Sequence, residues 1–363
     1  MKDEKKVPKL RFKGFTDDWE QCKLGDVAEI TAGGDINKGD LINKGKYPVI
    51  ANGLNNNGIV GYSNKYKIDA PAVTITGRGT LGVATARFIN FTPIVRLISI
   101  KSDLDPIYLE NVINNTHFVI ESTGVPQLTA PQVKRQTVIL SNCHIEQTKI
   151  GSLLSILDNT ITLHEEKKRQ FERIKSALLK KVFTDKSGYP SIRFEGFDKV
   201  WKQSKLGEIT KVIPSKPYIS TPSTHGNYLV IQQGDKPIAG FSDSKPFNSY
   251  NNITLFGDHT LSLFKPRSPF LVASDGIKIL SPSIEMNGLF YFYALEKYKP
   301  QSEGYKRHFT ILKKSEANFP TDIDEQKQIS SLLLRIDNLI DKQQLRIDKL
   351  NETKKSLLQN MFI

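Results

Sequence analysis

Residues 8–27 read PKLRFKGFTDDWEQCKLGDV, and residues 190–209 read PSIRFEGFDKVWKQSKLGEI. Arg11 and Arg193, Phe12 and Phe194, Gly14 and Gly196, Trp19 and Trp201, and the Leu-Gly pairs at 24–25 and 206–207 fall in step. A second matched pair closes each half: EQTKIGSLLSILDNTI from Glu146 and EQKQISSLLLRIDNLI from Glu325. An interval of about 180 residues is too long for a solenoid repeat and marks a duplicated domain. Between the repeated blocks lie 32–143 and 214–323, nearly equal in length and without obvious mutual identity. One scaffold therefore carries two different inserts.

A chain of 363 residues is long enough for two domains with their own cores. It has no apolar run of bilayer-spanning length, and the charged opening MKDEKKVPKLRF lacks the apolar centre of a secretory signal. Cys22 and Cys143 stand outside any CxxC context, which fits a reducing cytoplasm and argues against a zinc ribbon. The formal charge of +13 points to a polyanionic partner, nucleic acid first, with generic solubility charge as the alternative. The excess is spread over both inserts and their lead-in blocks, as expected if each half meets its own phosphates.

The closing segments, 144–183 and 324–363, read as long helices. A seam runs through Ile150, Leu154, Leu157, Ile161, His164, Lys168, Phe171, Ile174, Leu178 and Val182 in the first. The second has Ile329, Leu333, Ile336, Ile340, Gln343, Ile347, Leu350, Thr353, Leu357 and Met361. Steps of four and three form a heptad seam rather than a broad globular face, on helices of about 50 Å. The duplication predicts that the two helices pair antiparallel about a pseudo-twofold axis, the alternative being two separate surface helices. His164 and Gln343 fall at matching places mid-seam, either as a polar layer that sets coil register or as a solvated interruption.

Strand-like runs in the inserts include Tyr47–Ala51, Ala72–Thr76, Ile94–Ile100, Tyr228–Gln232, Thr260–Phe264 and Phe270–Ala273. Each insert also holds one short helix: Asp105-Pro106 opens IYLENVINN, and Asn287 opens NGLFYFYALEKY. The expected fold class is α/β plus coiled coil: two α/β domains, 1–143 and 184–323, joined by two long antiparallel helices. Enzyme signatures are absent. Gly77-Arg78-Gly79-Thr80-Leu81-Gly82 matches GxGxxG, but the β-forming VATARFINFTP that follows opens no phosphate-binding helix, so a glycine-rich hairpin is expected. No P-loop, HExxH or GxSxG is present, and the histidines are scattered, so neither a catalytic nor a metal-ligating set is assigned.

The doubled pattern RFxGFxxxWxxxKLGD/E, a variable domain, EQxxIxxLLxxxDNxI and a close on LLKKVF or LLQNMF resembles the specificity subunit of type I restriction–modification systems. The resemblance covers the whole chain in order. It implies two target-recognition domains, each reading half of an interrupted, asymmetric sequence in double-stranded DNA, with the helices setting the half-site spacing. It further implies a non-catalytic subunit that docks two DNA adenine methyltransferase subunits and two ATP-driven translocase–endonuclease subunits. S-adenosylmethionine, ATP and Mg2+ would then sit on those partners. A methylation-only system fits the same residues, and a protein-binding scaffold with no DNA role is the remaining alternative.

Base-contacting residues differ with each target, so they are sought from chemistry: Asn or Gln for adenine, Arg or Lys for guanine, in glycine-flanked loops. In the first insert these are Asn52, Asn55, Asn56 and Asn57 in NGLNNNG, Arg78 and Thr80 in TGRGT, and Gln127 in GVPQLT, with Lys134 and Arg135 as phosphate contacts. In the second they are Gln232, Gln233 and Lys236 in VIQQGDK, Arg267 in KPRSP, and Lys306, Arg307 and His308 in GYKRHFT. Turn formation and plain solvation are the competing roles for each. Asp158-Asn159 and Asp337-Asn338 recur off the seam and are expected to face partner subunits.

Overall fold

The computed structural model of the chain describes residues 7–118, 126–184, 187–302, 304 and 307–363. They form two compact units, one made of 1–165 with 345–363 and the other of the continuous stretch 166–344.

In the first unit the strands are β1 (Glu20–Lys23), β2 (Glu29–Ala32), β3 (Tyr47–Ile50), β4 (Ile59–Ser63), β5 (Ala72–Ile75), β6 (Ala84–Arg87), β7 (Thr92–Pro93), β8 (Ile98–Lys101) and β9 (Thr137–Leu140). Its helices are α1 (Leu24–Val27), α2 (Pro106–Asn114), α3 (Ala130–Arg135) and the start of α4 (His144–Val182). The second unit has β10 (Lys202–Lys205), β11 (Thr210–Ile213), β12 (Tyr228–Ile231), β13 (Ile238–Ser242), β14 (Thr254–Gly257), β15 (Leu263–Phe264), β16 (Phe270–Val272), β17 (Ile277–Pro282) and β18 (Glu316–Phe319). With them go α5 (Gly288–Tyr298), α6 (Phe309–Lys314) and the start of α7 (Ile323–Met361).

The two inserts share one topology. Sheets ordered β2-β8-β5-β6 and β4-β3-β7 in the first unit are matched by β11-β17-β14-β15 and β13-β12-β16 in the second. Even the irregularities coincide: a bulge at Val49/Ile50 recurs at Val230/Ile231. Two sequences without visible identity thus fill the same frame, because burial and strand alternation constrain residue class more than residue identity. The short helices form as expected, with the Asp105 side chain accepting from the N–H groups of Ile107 and Tyr108, and Asn287 from those of Leu289 and Phe290. Two expected strands shrink: 94–97 is a turn before β8, and only Leu263–Phe264 of 260–264 is extended.

The repeated blocks build an anchor at the root of each insert. In the first unit Arg11 grips Glu146 at 2.5 and 2.9 Å, the Trp19 indole donates to it at 3.2 Å, and the Ser141 hydroxyl donates at 2.5 Å. In the second, Arg193 grips Glu325 at 2.8 and 3.0 Å and Trp201 donates at 3.1 Å. Burial alone would raise the Glu146 pKa, but the hydrogen bonds from Arg11, Ser141 and Trp19 outweigh it and hold the carboxyl below its ordinary value. The neighbouring glutamines tie in the short helices: Gln326 accepts from the Asn287 N–H at 2.8 Å, and Gln147 from that of Asp105 at 3.4 Å. This is why RF, W and EQ recur together.

Within each unit the helices run antiparallel. Ile150 and Leu154 share the first core with Met361 and Leu357, and Val182 and Leu178 share the second with Ile329 and Leu333. The seam departs from expectation at one duplicated place. Ile174 is 47 % exposed and Thr353 faces solvent, while Lys175 and Lys354 point inward. Lys175 meets Asp337 at 2.8 Å and Glu296 at 2.9 Å, and Lys354 meets Asp158 at 2.5 Å. Strict alternation of four and three from Phe171 and Leu350 leads to 175 and 354, so the heptad geometry prevailed over the apolar character of Ile174. Of the expected mid-seam residues, Gln343 is buried and His164 half-buried.

Candidate nucleic-acid interface

Four loops of the first unit meet at one end of its sheets: 51–58 after β3, the β5–β6 hairpin 76–83, the turn 94–97, and 126–128 before α3. Asn52 is the staple. Its carboxamide oxygen accepts from the Gly77 N–H at 2.7 Å, and its amide nitrogen donates to the Val95 carbonyl. Leu128 N–H closes onto the Gly77 carbonyl at 3.0 Å. A Cβ on Gly77 would lie 2.6 Å from the Arg96 carbonyl oxygen and 2.8 Å from that of Leu128, so only glycine lets the loops close this tightly.

The sequence candidates separate on this frame. Asn52 spends its polar atoms holding loops together, which leaves it unsuited to reading adenine. Asn55, Asn56 and Asn57 are exposed on a short 3-10 turn, Asn56 and Asn57 in the left-handed region, with the Asn56 amide donating to the Ile59 carbonyl at 3.2 Å. Arg78 and Thr80 are exposed at the hairpin tip, beside Gly79 and Gly82 at positive φ. The hairpin confirms that the GxGxxG match is a β-turn feature. Gln127 is half-buried and accepts from the Arg96 guanidinium. Lys134 and Arg135 are exposed in the last turn of α3.

The second unit repeats the stapling with different residues. Gln233 stands two residues past β12, as Asn52 stands two past β3, and it accepts from the His259 N–H at 3.1 Å, the counterpart of Gly77. Gln232 donates to the Lys236 carbonyl at 2.8 Å, bracing the loop that exposes Lys236. Gln233 thus helps hold the frame, while Gln232 stays exposed. His308 is fully buried: its backbone N–H donates to the Asp258 carbonyl at 2.8 Å while its ring Nδ1 lies 3.2 Å from the same oxygen. Buried at the entry to α6, it cannot touch a phosphate. Arg307 is exposed, and Lys306 lies outside the described residues. Arg267 is exposed and leans towards Asp341 of α7 at 3.7 Å. A cavity of about 270 Å3 lies between Gln233, Gly257, Ser262 and Ile277, under the loops.

On the helices, Asp158 and Asp337 do not stand free for a partner subunit. Asp158 pairs with Lys354, and Asp337 with Lys175 and the Tyr293 hydroxyl, which donates at 2.6 Å. The adjacent Asn159 and Asn338 remain exposed.

Lys313, Lys314 and Arg96 are exposed cations that the sequence candidates did not include. Lys313 and Lys314 end α6 as Lys134 and Arg135 end α3, a correspondence that the repeat interval already contained. Arg96 was absorbed into an expected strand. In place of Arg96, two residues before β8, the second unit has exposed Asp275, two residues before β17.

Among the described residues no group of His, Cys, Asp and Glu could hold a metal ion, and no helix is long and apolar enough to cross a membrane. The chain shares its fold with the crystal structure of a type I restriction–modification system S subunit from M. genitalium, at a TM-score of 0.72, 14 % identity and coverage of 98 % and 99 % of the two chains. A second structure, from work on complex assembly and conformational transition of the type I R-M system, superposes at a TM-score of 0.52 and 17 % identity, covering 95 % and 97 %. Two Mycoplasma pneumoniae proteins whose names give them as type I specificity subunits are 28 % and 24 % identical over 143 and 159 residues. These alignments take in 38 % and 42 % of this chain, and span 39 % and 47 % of the curated relatives' own lengths. The model of the type I restriction modification DNA specificity domain matches residues 16–173 and again 198–352, one match for each repeat, and the chain belongs to that family.

Proposed function

We propose that this chain is the DNA-reading subunit of a type I restriction–modification complex. Each unit reads one part of an interrupted, asymmetric target. The helices set the distance between the parts and receive two adenine methyltransferase subunits, with translocase–endonuclease subunits joining them. The chain performs no covalent chemistry in this reading, and S-adenosylmethionine, ATP and Mg2+ belong to the partners.

The observation that carries the proposal is one scaffold presenting two unlike loop sets. The hairpin 76–83 exceeds its counterpart 258–262 in length, and an exposed cation in one unit is replaced by an exposed anion in the other. A frame built twice with different groups at equivalent places suits the reading of two different short sequences. Exposed lysines and arginines near the loops supply the sequence-independent phosphate term.

The test is to express the chain with its methyltransferase subunit and map N6-methyladenine by sequencing. A single interrupted motif with unlike halves is expected. Methylation without an interrupted motif, or none that depends on the chain, overturns the proposal.

A further inference from the structure

We infer that Arg96 is a specificity-determining residue of the first unit, reading guanine in the major groove, and that Gln127 positions it. The inference rests on the DNA-reading role proposed above and names a reader within it.

Val95 and Arg96 adopt φ of 44° and 66°, consecutive non-glycine residues in the left-handed region. A β-branched and a long side chain are both disfavoured there, and such strain persists only where the surroundings over-determine it. The surroundings do so here. The N–H groups of Val95 and Arg96 donate to the carbonyls of Gly34 and Gly33, each at 3.2 Å, Asn52 donates to the Val95 carbonyl, and Gly77 packs against the Arg96 carbonyl. Three segments of chain thus hold a turn whose outcome is one exposed guanidinium at the meeting point of the loops.

That guanidinium is also oriented. Its NH1 donates to the Gln127 side-chain oxygen, the contact of a half-buried carboxamide from the fourth loop. One edge of the planar group is fixed, and among the described residues its remaining donors meet no partner. A fixed, planar, two-donor edge matches the O6 and N7 acceptors of guanine, whereas a phosphate contact needs no such orientation.

The experiment uses the complex of this chain with its methyltransferase subunits, acting on a duplex library randomised across the target found for the unaltered chain. Arg96→Ala should relax one guanine position of one half-site by about ten- to a hundredfold, leaving the other half-site fully read. Arg96→Lys, which keeps the charge and the fold but loses the fork, should relax the same position in part. Gln127→Ala should do likewise, and Gln127→Glu, still an acceptor for the guanidinium, should restore discrimination there. A loss spread evenly over all sequences, full rescue by Arg96→Lys, or an unchanged motif overturns the assignment. If Arg96→Ala does not fold, Arg96→Lys decides alone. Failure of the unaltered complex to methylate any interrupted motif would instead remove the DNA-reading role, a separate result visible before any variant is made.

Discussion

The ammonium of Lys175 lies 2.8 Å from the carboxylate of Asp337, and the same pair recurs one repeat away as Lys354 and Asp158. Each pair crosses from one helix to the other within the seam. Burial opposes the charge on Lys175, but Glu296 and Asp337 outweigh it and raise the ammonium pKa above its ordinary value.

Removing one partner should therefore cost stability. Lys175→Ala or Asp337→Ala is expected to destabilise the second unit by about 1–2 kcal/mol, less than for a fully buried pair because both groups keep some water contact. A double-mutant cycle should return coupling of similar size. Because the Lys175 pKa is raised on folding, its contribution is complete below about pH 10.4 and is lost as pH rises through the higher folded value. Denaturant melts at neutral and alkaline pH check both points, and additive single losses would show that the pair is idle.

The anchor of the first unit behaves oppositely with pH. The folded pKa of Glu146 is lowered, so its stabilisation is complete above about pH 4.3 and is lost as pH falls through the depressed value. Glu146→Gln should flatten that acid limb and cost about 2–4 kcal/mol by leaving Arg11 uncompensated. Hydrogen exchange around Trp19 against pH follows this unit separately.

Lys134→Ala should weaken binding to all sequences alike and lower the salt slope by about one. Lys313→Ala, one repeat later, should do the same. Arg78→Ala, at the hairpin tip, should relax one base position by about 1–3 kcal/mol. Binding measured over a salt series with cognate and altered sites separates the two behaviours.

Exchanging 32–143 for the corresponding region of a relative should change one half-site only, because Arg11, Trp19 and Glu146, which anchor the insert, lie outside the exchanged stretch. Motif mapping of the chimaera is the check, and a change in both halves contradicts the model of two readers.

Adding one heptad to both helices, after His164 and after Gln343, should keep the seam and lengthen the coil by about 10 Å. At 3.4 Å per base pair this adds roughly three base pairs to the unread spacer. An active variant with an unchanged spacer would show that the helices are not the ruler.

The duplication, the paired helices, the short capped helices and the GxGxxG hairpin were all legible in the sequence, because each rests on local pattern. The seam was misread at Ile174, where hydrophobicity was weighed above the spacing that selects Lys175. The loop residues were harder. Asn52 and Gln233 have the chemistry of adenine readers, and only the fold shows that their carboxamide oxygens accept from the N–H groups of Gly77 and His259. His308 looked exposed amid basic neighbours, yet Asp258 takes it inside. Arg96 was hidden by its neighbours: IVRLISI reads as one strand, and nothing local announces two left-handed residues.

Phe362 stacks on Tyr108 at 5.8 Å and meets Trp19 edge-on at 6.3 Å, while its repeat counterpart Phe183 seats against Trp201 and Phe290. Each long helix thus begins in one unit and ends in the core of the other. For a ribosome the two units are unequal. Everything the second needs is contiguous from residue 166 to 344, but the first lacks 345–363 until after the second has been made. At about 5–20 residues per second, the earlier-translated domain waits on the order of ten seconds or more with its core open. On this schedule the first unit would close its core after the second, although its synthesis begins first.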